Sequence, residues 1–427
     1  MIDLNHLRQH PEIYVKAAAD KSKVVDIDAV LKLDVSLREI QKQEQDLRTQ
    51  RNELAQLGKS DPEKARTAGI RIKTELKSVE ERLAACSSQL TPLLLAIPNV
   101  PLPDVPVGHS EEENKVVKEW GTKRIFDFSP KTHWQMGETH NLIDKVRAAK
   151  VAGSRFAYLK GDLVKLQFAI VQFVMKTLGD EEILKKIISD HDLKISSKAF
   201  TPILPPAMIK TAPYSAMDRL EPRDERYQVG MPEDDLWLQG SAEHTMGSMY
   251  WNETLPENMF PIRYIGYLTS FRREAGTYGK DMEGIKRMHQ FDKLEMEAFS
   301  TPETGIDEHR FMIAIQEYFM QALEIPYQLI QKCTFDIGKP NASGWDINAW
   351  LPGQNTYCET HTADYMTDYQ ARRLNTRVKK NEGGIEHVHT NDATAFALGR
   401  IMIAIMENYQ QEDGTFGIPN VLKPFTW

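Results

Sequence analysis

Cysteine is scarce: Cys86, Cys333 and Cys358 are the only three in 427 residues, and no two form a CxxC pair. That argues against a disulfide framework and a structural zinc site, and it fits a reducing compartment. Long apolar runs are missing too. A membrane helix needs about 20 apolar residues, which no stretch approaches, and the opening MIDLNHLRQHPE is too polar for a signal peptide. A soluble cytoplasmic protein without a membrane partner is expected. Basic charge is not in excess: 53 Lys and Arg face 61 Asp and Glu, a formal net charge of −8. Any nucleic-acid surface must therefore be a local basic patch. A GxxxxGK[ST] loop is absent, and Gly276 to Lys280 (GTYGK) has the wrong spacing, so P-loop chemistry is excluded. No internal repeat or low-complexity tract is evident.

The length exceeds that of a usual single domain, so two domains are expected. After a helical lead-in over residues 1 to 25, two long helical patterns appear. Val30, Leu33, Leu37, Ile40, Leu47 and Leu54 recur in three- and four-residue steps, with Glu44 and Arg51 on seam positions. Ile72, Leu76, Val79, Leu83, Cys86, Leu90, Leu93 and Ile97 repeat the rhythm. Leu57 to Glu63, with Gly58, Asp61 and Pro62, breaks the two apart. The pattern predicts an antiparallel two-helix coiled coil, each helix about 40 Å long at 1.5 Å per residue. One seam buries little, so this arm should project from a larger body. By itself such an arm reads as a spacer or a dimerisation device, and its mixed charges as a solvated face. Ile97 to Gly108 holds four prolines and reads as a stiff linker. The boundary falls there, giving domains of 1–108 and 109–427. Amphipathic helices are expected around Asp162 to Leu178 and Glu182 to Ile188, and a strand from Phe200 that ends in Pro205 and Pro206.

Ser270 to Glu297 carries the densest signal. A short apolar run with Arg272 and Arg273 gives way to a glycine-rich charged loop, then to alternating polar and apolar residues. That is a β-hairpin with a long tip, in which Gly276, Gly279 and Gly284 permit a bent loop. Arg272, Arg273, Lys280, Lys286 and Arg287 place positive charge at both ends of it. Guanidinium groups pair with phosphate oxygens, so the hairpin suits a polyphosphate; a merely solvated charged hairpin is the alternative.

FRREAG followed by RMHQFDKLE resembles motif 2 of the class II aminoacyl-tRNA synthetases, in the form found in seryl-tRNA synthetases of the bacterial and eukaryotic type. Glu359 to Arg373 (ETHTADYMTDYQARR) resembles the ATP-binding segment of that family. Ala397 to Phe425 resembles its motif 3 and C-terminal segment, and Phe200 to Lys210 its motif 1, which builds a dimer interface. The resemblance implies an α+β fold: an N-terminal antiparallel coiled-coil arm, then a class II domain around a central antiparallel sheet flanked by helices. It implies serine activation by ATP and Mg²⁺, transfer to serine tRNA gripped by the arm, and a homodimer. The selenocysteine tRNA is a further candidate partner. Carried over by residue, Arg272 should sit on the α-phosphate and the substrate carboxylate, and Glu274 on the adenine amino group. Phe291 should stack on adenine, Arg287 should meet the distal phosphates, and Arg400 should complete the clamp. These fixed cations are what the reaction needs, because charge accumulates on phosphorus and no protein nucleophile is required. Glu359 and Thr362 resemble the pair that holds Mg²⁺ on ATP. Ser241 and Glu243 should approach the α-amino side of serine, Glu295 its ammonium or hydroxyl, and Thr394 its hydroxyl.

The chain departs from the family pattern at named positions. The usual first threonine of TxE is Ser241. A usual serine is Asp364, a usual asparagine is Tyr365, and an asparagine of motif 3 is Asp392. These put the shape of the amino-acid pocket in question. His361, His387 and His389 lack a zinc spacing, and no zinc is expected. Two rival readings stand beside the ligase: a paralogue activating another small amino acid or loading another carrier, and a non-catalytic coiled-coil adaptor.

Overall fold

The computed structural model describes residues 1–57, 62–231, 233–274 and 284–426. They fall into two compact units, Met1–Val100 and Pro101–Trp427. Gly58, Asp61, Gly276, Gly279 and Lys280 lie outside the described residues.

In the first unit, α1 (Leu4–Gln9) and α2 (Pro11–Asp20) precede two long helices, α3 (Ile27–Leu57) and α4 (Pro62–Ala96). Asp3 caps α1 by accepting from the N–H groups of Asn5 and His6 at 2.7 and 3.2 Å, satisfying donors the helix leaves open. Leu33, Leu37, Ile40 and Leu47 pack on Val79, Leu83 and Cys86. The pairing is antiparallel: Cys86 Sγ lies 3.6 Å from Leu33 O, Arg82 donates to Gln43 at 3.2 Å, and Arg48 reaches Glu80 at 3.6 Å. Two seam expectations need correction. Arg51 is exposed, and the buried position after Leu90 is Leu94 rather than Leu93. A straight helix drifts against a 3.5-residue repeat, so a four-residue step there keeps the row facing its partner. Glu44 turns along its own helix to Arg48 at 2.6 Å.

The second unit is built on an eight-stranded sheet. Its strands are β1 (Lys115–Trp120), β2 (Thr201–Ile203), β3 (Ile262–Phe271), β4 (Gln290–Ser300), β5 (Tyr327–Gln331), β6 (Ser343–Leu351), β7 (Thr356–Thr367) and β8 (His389–Ala397). Their order is β1-β5-β6-β7-β8-β4-β3-β2. The sheet is mixed, not wholly antiparallel: β2 runs parallel to β3, with Thr201 opposite Tyr264. The long crossover between those strands is what a parallel neighbour requires. β2 stops before Pro205 and Pro206, and Met208–Ile209 pairs in a separate small sheet. The hairpin of β3 and β4 begins at Ile262, earlier than the apolar run suggested.

Alternation along the strands gives the sheet two unlike faces. On one, Leu294, Met296, Ala298, Ala363, Ala393 and Phe396 are fully buried. They join the core with α5 (Asp162–Leu178), α6 (Glu181–Asp190), α7 (Gly305–Ala322) and α8 (Leu398–Asn408). Phe311, Phe319, Ile401 and Ile405 are among the helix residues in it. The other face carries Lys293, Glu295, Glu297, Asp364, Asp392 and Thr394, all buried as well.

Two glycines set opposite stability expectations. A Cβ at Gly353, between β6 and β7, would lie 2.2 Å from Lys131 O, a backbone atom; Gly353→Ala should cost about 1–3 kcal/mol through overpacking. A Cβ at Gly69, inside α4, meets nothing within 4 Å; Gly69→Ala should stabilise the arm by about 0.5–1 kcal/mol. Denaturant unfolding of both variants checks the two signs.

Candidate active site

Two β-bulges assemble the site. In β7, Ile347 pairs with His361 and the next pair is Asn348 with Glu359, so Thr360 is the extra residue. Regular alternation would put Glu359 and Thr362 on opposite faces; one extra residue puts them on the same face. Thr360 Oγ1 fixes the bulge by donating to Ile347 O at 3.1 Å. In β8, Leu294 pairs with Phe396 and Glu295 with Thr394, which leaves Ala395 as the extra residue. Thr394 and Ala397 then share the polar face while Phe396 enters the core. Gln316 of α7 supports both strands from below, donating to Thr362 O at 2.8 Å and Thr394 O at 2.9 Å.

The result is a cavity of about 120 Å³ lined by Arg272, Glu274, Arg287, Phe291, Glu359, Thr362, Thr394 and Arg400. Every residue expected at a nucleotide is on its wall. Arg272 Nε donates to Gly240 O at 3.0 Å, and its guanidinium lies 5.3 Å from the Phe291 ring centre. Glu274, at φ 48°, receives Arg287 Nη1 at 3.2 Å. Arg400 Nη1 reaches Glu359 Oε1 at 2.8 Å and its carbonyl at 3.0 Å. Phe291, Ile285, Met288 and Gly399 also line an adjoining cavity of about 400 Å³. Ala148, Ala157, Leu159 and Val164 wall that second space, which suits a flat aromatic group beside a charged one. Arg273 is directed elsewhere, 5.9 Å from the Tyr227 ring. Gly284 sits at φ 62° with a Cβ position 1.9 Å from His133 Nε2, so no larger residue fits there.

Besides Arg272, the four residues expected at the amino acid also converge. Ser241 Oγ lies 3.2 Å from Glu243 Oε2 and 3.5 Å from Glu295 Oε2, and it accepts from Lys293 Nζ at 3.1 Å. Thr394 is paired across from Glu295. Burial pushes the Glu295 carboxyl up to about 7, against the pull of neighbouring Lys293. Burial opposes ionisation of Glu243 too, but Arg219, His244 and Lys293 together outweigh it and hold the carboxyl well below the usual range. Burial keeps His244 neutral by lowering it to about 4. Three carboxylates, Glu243, Glu295 and Asp392, present oxygens within 4.8 Å of one another, the one such cluster of metal-ligating type among the described residues. Arg219 and Lys293 already serve them.

The three histidines do not meet at a common point. His361 faces the core against Phe396 at 5.0 Å, lowered to about 3 by burial, and His389 binds Tyr365 at 2.6 Å. Glu359 and Thr362 offer oxygen atoms on one wall, a donor type that suits a hard cation keeping waters and phosphates in its shell. Lys332 Nζ donates to Thr362 Oγ1 at 3.0 Å. Sequence reasoning missed Lys293, Arg219 and Lys332. Lys293 was recoverable, because Phe291, Lys293 and Glu295 alternate onto one face; Arg219 and Lys332 lie in no motif.

Residues 1–101 match the family model described as the seryl-tRNA synthetase N-terminal domain, and residues 227–409 match the tRNA synthetase class II core domain (G, H, P, S and T). A serine–tRNA ligase of Dehalococcoides mccartyi is 38% identical over all of this chain and 98% of its own. The chain belongs to the seryl-tRNA synthetase family. Seryl-tRNA synthetase from Pyrococcus horikoshii, solved with ATP, superposes at a TM-score of 0.87 with 32% identity, covering 100% of this chain and 98% of the other. The cytoplasmic serine–tRNA ligase of Naegleria fowleri, solved with AMP, gives 0.83 and 25%, covering 100% and 97%.

Membership makes Glu295 testable. An ammonium group docked on it binds the ionised form, so with the carboxyl at about 7 serine affinity should rise about tenfold between about pH 6 and pH 8. Protons are released on binding at the lower pH. In Glu295→Gln the rise should vanish. Calorimetry at the two pH values reads both effects.

Proposed function

We infer that the protein is an ATP-dependent serine–tRNA ligase. The observation that carries this reading is the continuous polar face on which the nucleotide residues and the serine residues adjoin. Serine's carboxylate oxygen attacks the α-phosphorus of ATP, the bond to the bridging oxygen breaks, and pyrophosphate leaves. Seryl-adenylate remains. A ribose hydroxyl at the 3′ end of serine tRNA then attacks the seryl carbonyl, and AMP leaves.

Arg272 lies between the two halves of the site, where it can meet the serine carboxylate and the α-phosphate together. It holds two anions at reacting distance and answers the charge that builds on phosphorus. Arg287 and Arg400 serve the outer phosphates and their departure. Phe291 offers its ring to adenine, and Glu274 accepts from the adenine amino group. Glu359 and Thr362 would hold Mg²⁺, which when bound neutralises phosphate charge. Glu243, Ser241, Glu295 and Thr394 read the ammonium and hydroxyl of serine. A site built to hydrogen-bond a hydroxyl rejects analogues without it, since the buried partners are left unpaired.

Residues 1–108 act as tRNA arm and linker, and 109–427 as the catalytic domain, working as a cytoplasmic homodimer. Long helices reading the shape and phosphates of a folded RNA suit this role. No helix of the described residues is long and apolar enough to cross a membrane. Selenocysteine tRNA, which must also be charged with serine, is a second substrate of the same arm.

Two experiments test the reading. Arg272→Ala should lower serine-dependent exchange of pyrophosphate into ATP by about 100-fold or more while thermal unfolding stays close to the parent. An unchanged exchange rate removes Arg272 from the reaction. Replacing Leu33 to Leu95 by a short bridge should spare exchange and abolish charging of serine tRNA. Survival of both activities means the arm is not the grip, and loss of both in a folded protein means activation depends on the arm.

A further inference from the structure

Two acids of the amino-acid pocket, Asp364 and Asp392, stand where the family pattern has neutral residues, and both are buried. Burying an uncompensated carboxylate is costly, so each must be paired, moved or protonated. Arg219 meets them. Its Nε lies 3.1 Å from Glu243 Oε1, and its Nη2 lies 3.3 Å from Asp392 Oδ2 and 3.7 Å from Asp364 Oδ2. One guanidinium thus answers three carboxylates on three separate elements. Lys332 takes the far side of Asp364 at 3.2 Å.

The cluster does not face the core. Arg219, Glu243, Asp364 and Lys332 line a polar cavity of about 640 Å³ together with Arg272 and Lys293 of the reaction site. Glu243, with Glu295, is an acid toward which the serine ammonium should dock, and it shares a 4.8 Å neighbourhood with Asp392 and Glu295. Glu243 and Asp392 compete for one negative charge: burial and the neighbouring carboxylates favour the proton on Asp392, and Arg219 against Glu243 favours the charge there. Without that cation the proton passes to Glu243 and the charge to Asp392, or Glu243 turns away. Either change removes the anion that the ammonium needs.

We propose that Arg219 is a positioning and specificity-determining residue, which holds Glu243 charged and aimed at the substrate ammonium, a role that Asp392 makes necessary. The proposal rests on the serine-pocket reading of Glu243. Arg219 touches no reacting atom; it acts on binding of the amino acid and not on ATP. A buried structural cation would show no such preference between substrates.

The test is steady-state exchange kinetics on the full-length enzyme, with serine and ATP varied in turn. Arg219→Gln should raise KM for serine about tenfold or more, leave KM for ATP within about twofold, and lower kcat less than it raises KM for serine. Arg219→Lys should recover part of the serine affinity. Arg219→Gln combined with Asp392→Asn removes the cation and the acid that requires it, and should return KM for serine to within about threefold of the parent. If Arg219→Gln does not fold, the double variant is compared with the parent directly on the same threshold. The proposal is overturned if Arg219→Gln binds serine normally, if both KM values rise alike, or if the folded double variant binds serine no better than Glu243→Gln. Glu243→Gln is the control for the underlying reading. If it leaves KM for serine unchanged, the pocket itself is misassigned; if it raises KM while Arg219→Gln does not, the pocket stands and only the role of Arg219 falls.

Discussion

The catalytic unit depends on a break in alternation. A strand shows every second side chain to one face, and a regular β7 would send Glu359 into the core with Cys358 toward the site. The bulge at Thr360 reverses this over one residue. The bulge at Ala395 does the same for β8, letting Phe396 pack beneath the sheet while Thr394 and Ala397 remain above it. Gln316, itself fully buried, spends its amide on the carbonyls of Thr362 and Thr394. The irregular backbone is thereby satisfied from the core side, and the side chains above it are free to serve a ligand.

Charge in the core and charge in the site are handled differently. Arg263, fully buried, forms a two-pronged pair with Glu308 at 2.9 and 2.7 Å and donates to Lys198 O and Ser196 O at 2.6 and 2.8 Å. Among the described residues the carboxylates on the polar face of the sheet are less well served. Both oxygens of Glu297, Oε1 of Glu295 and Oδ1 of Asp392 are buried without a hydrogen-bond partner. Burial and neighbouring carboxylates raise Glu297 and Asp392 well above the usual range. A structural pair is closed on itself; a binding site keeps unmet acceptors until a donor-rich ligand arrives.

Much of this was legible in the residues. The three- and four-residue rhythm located α3 and α4, and the proline-rich stretch after Ile97 marked the end of the arm. Arg272 and Arg287 share one charged hairpin, so local pattern alone pointed to them, while Glu274 and Phe291 of the same hairpin were assigned by the family resemblance. Glu359, Thr362, Thr394 and Arg400 were placed by family resemblance and not by periodicity, because a bulge has no reliable sequence signal. The parallel edge strand β2 was out of reach for a similar reason, since strand direction is set by a distant crossover. Arg219 escaped because it sits in a connecting segment without motif. The extra acids Asp364 and Asp392 were visible as departures, but the cation that answers them is far away in the chain.

The central claim is that the polar face reads serine by its hydroxyl and ammonium while the adjoining arginines drive adenylation. Pyrophosphate exchange into ATP across a panel of amino acids tests it most directly. The account predicts exchange with serine at least about 100-fold above alanine and glycine, which lack the hydroxyl partner for Thr394 and Glu295. Equal exchange with alanine or glycine, or none with serine, would contradict it.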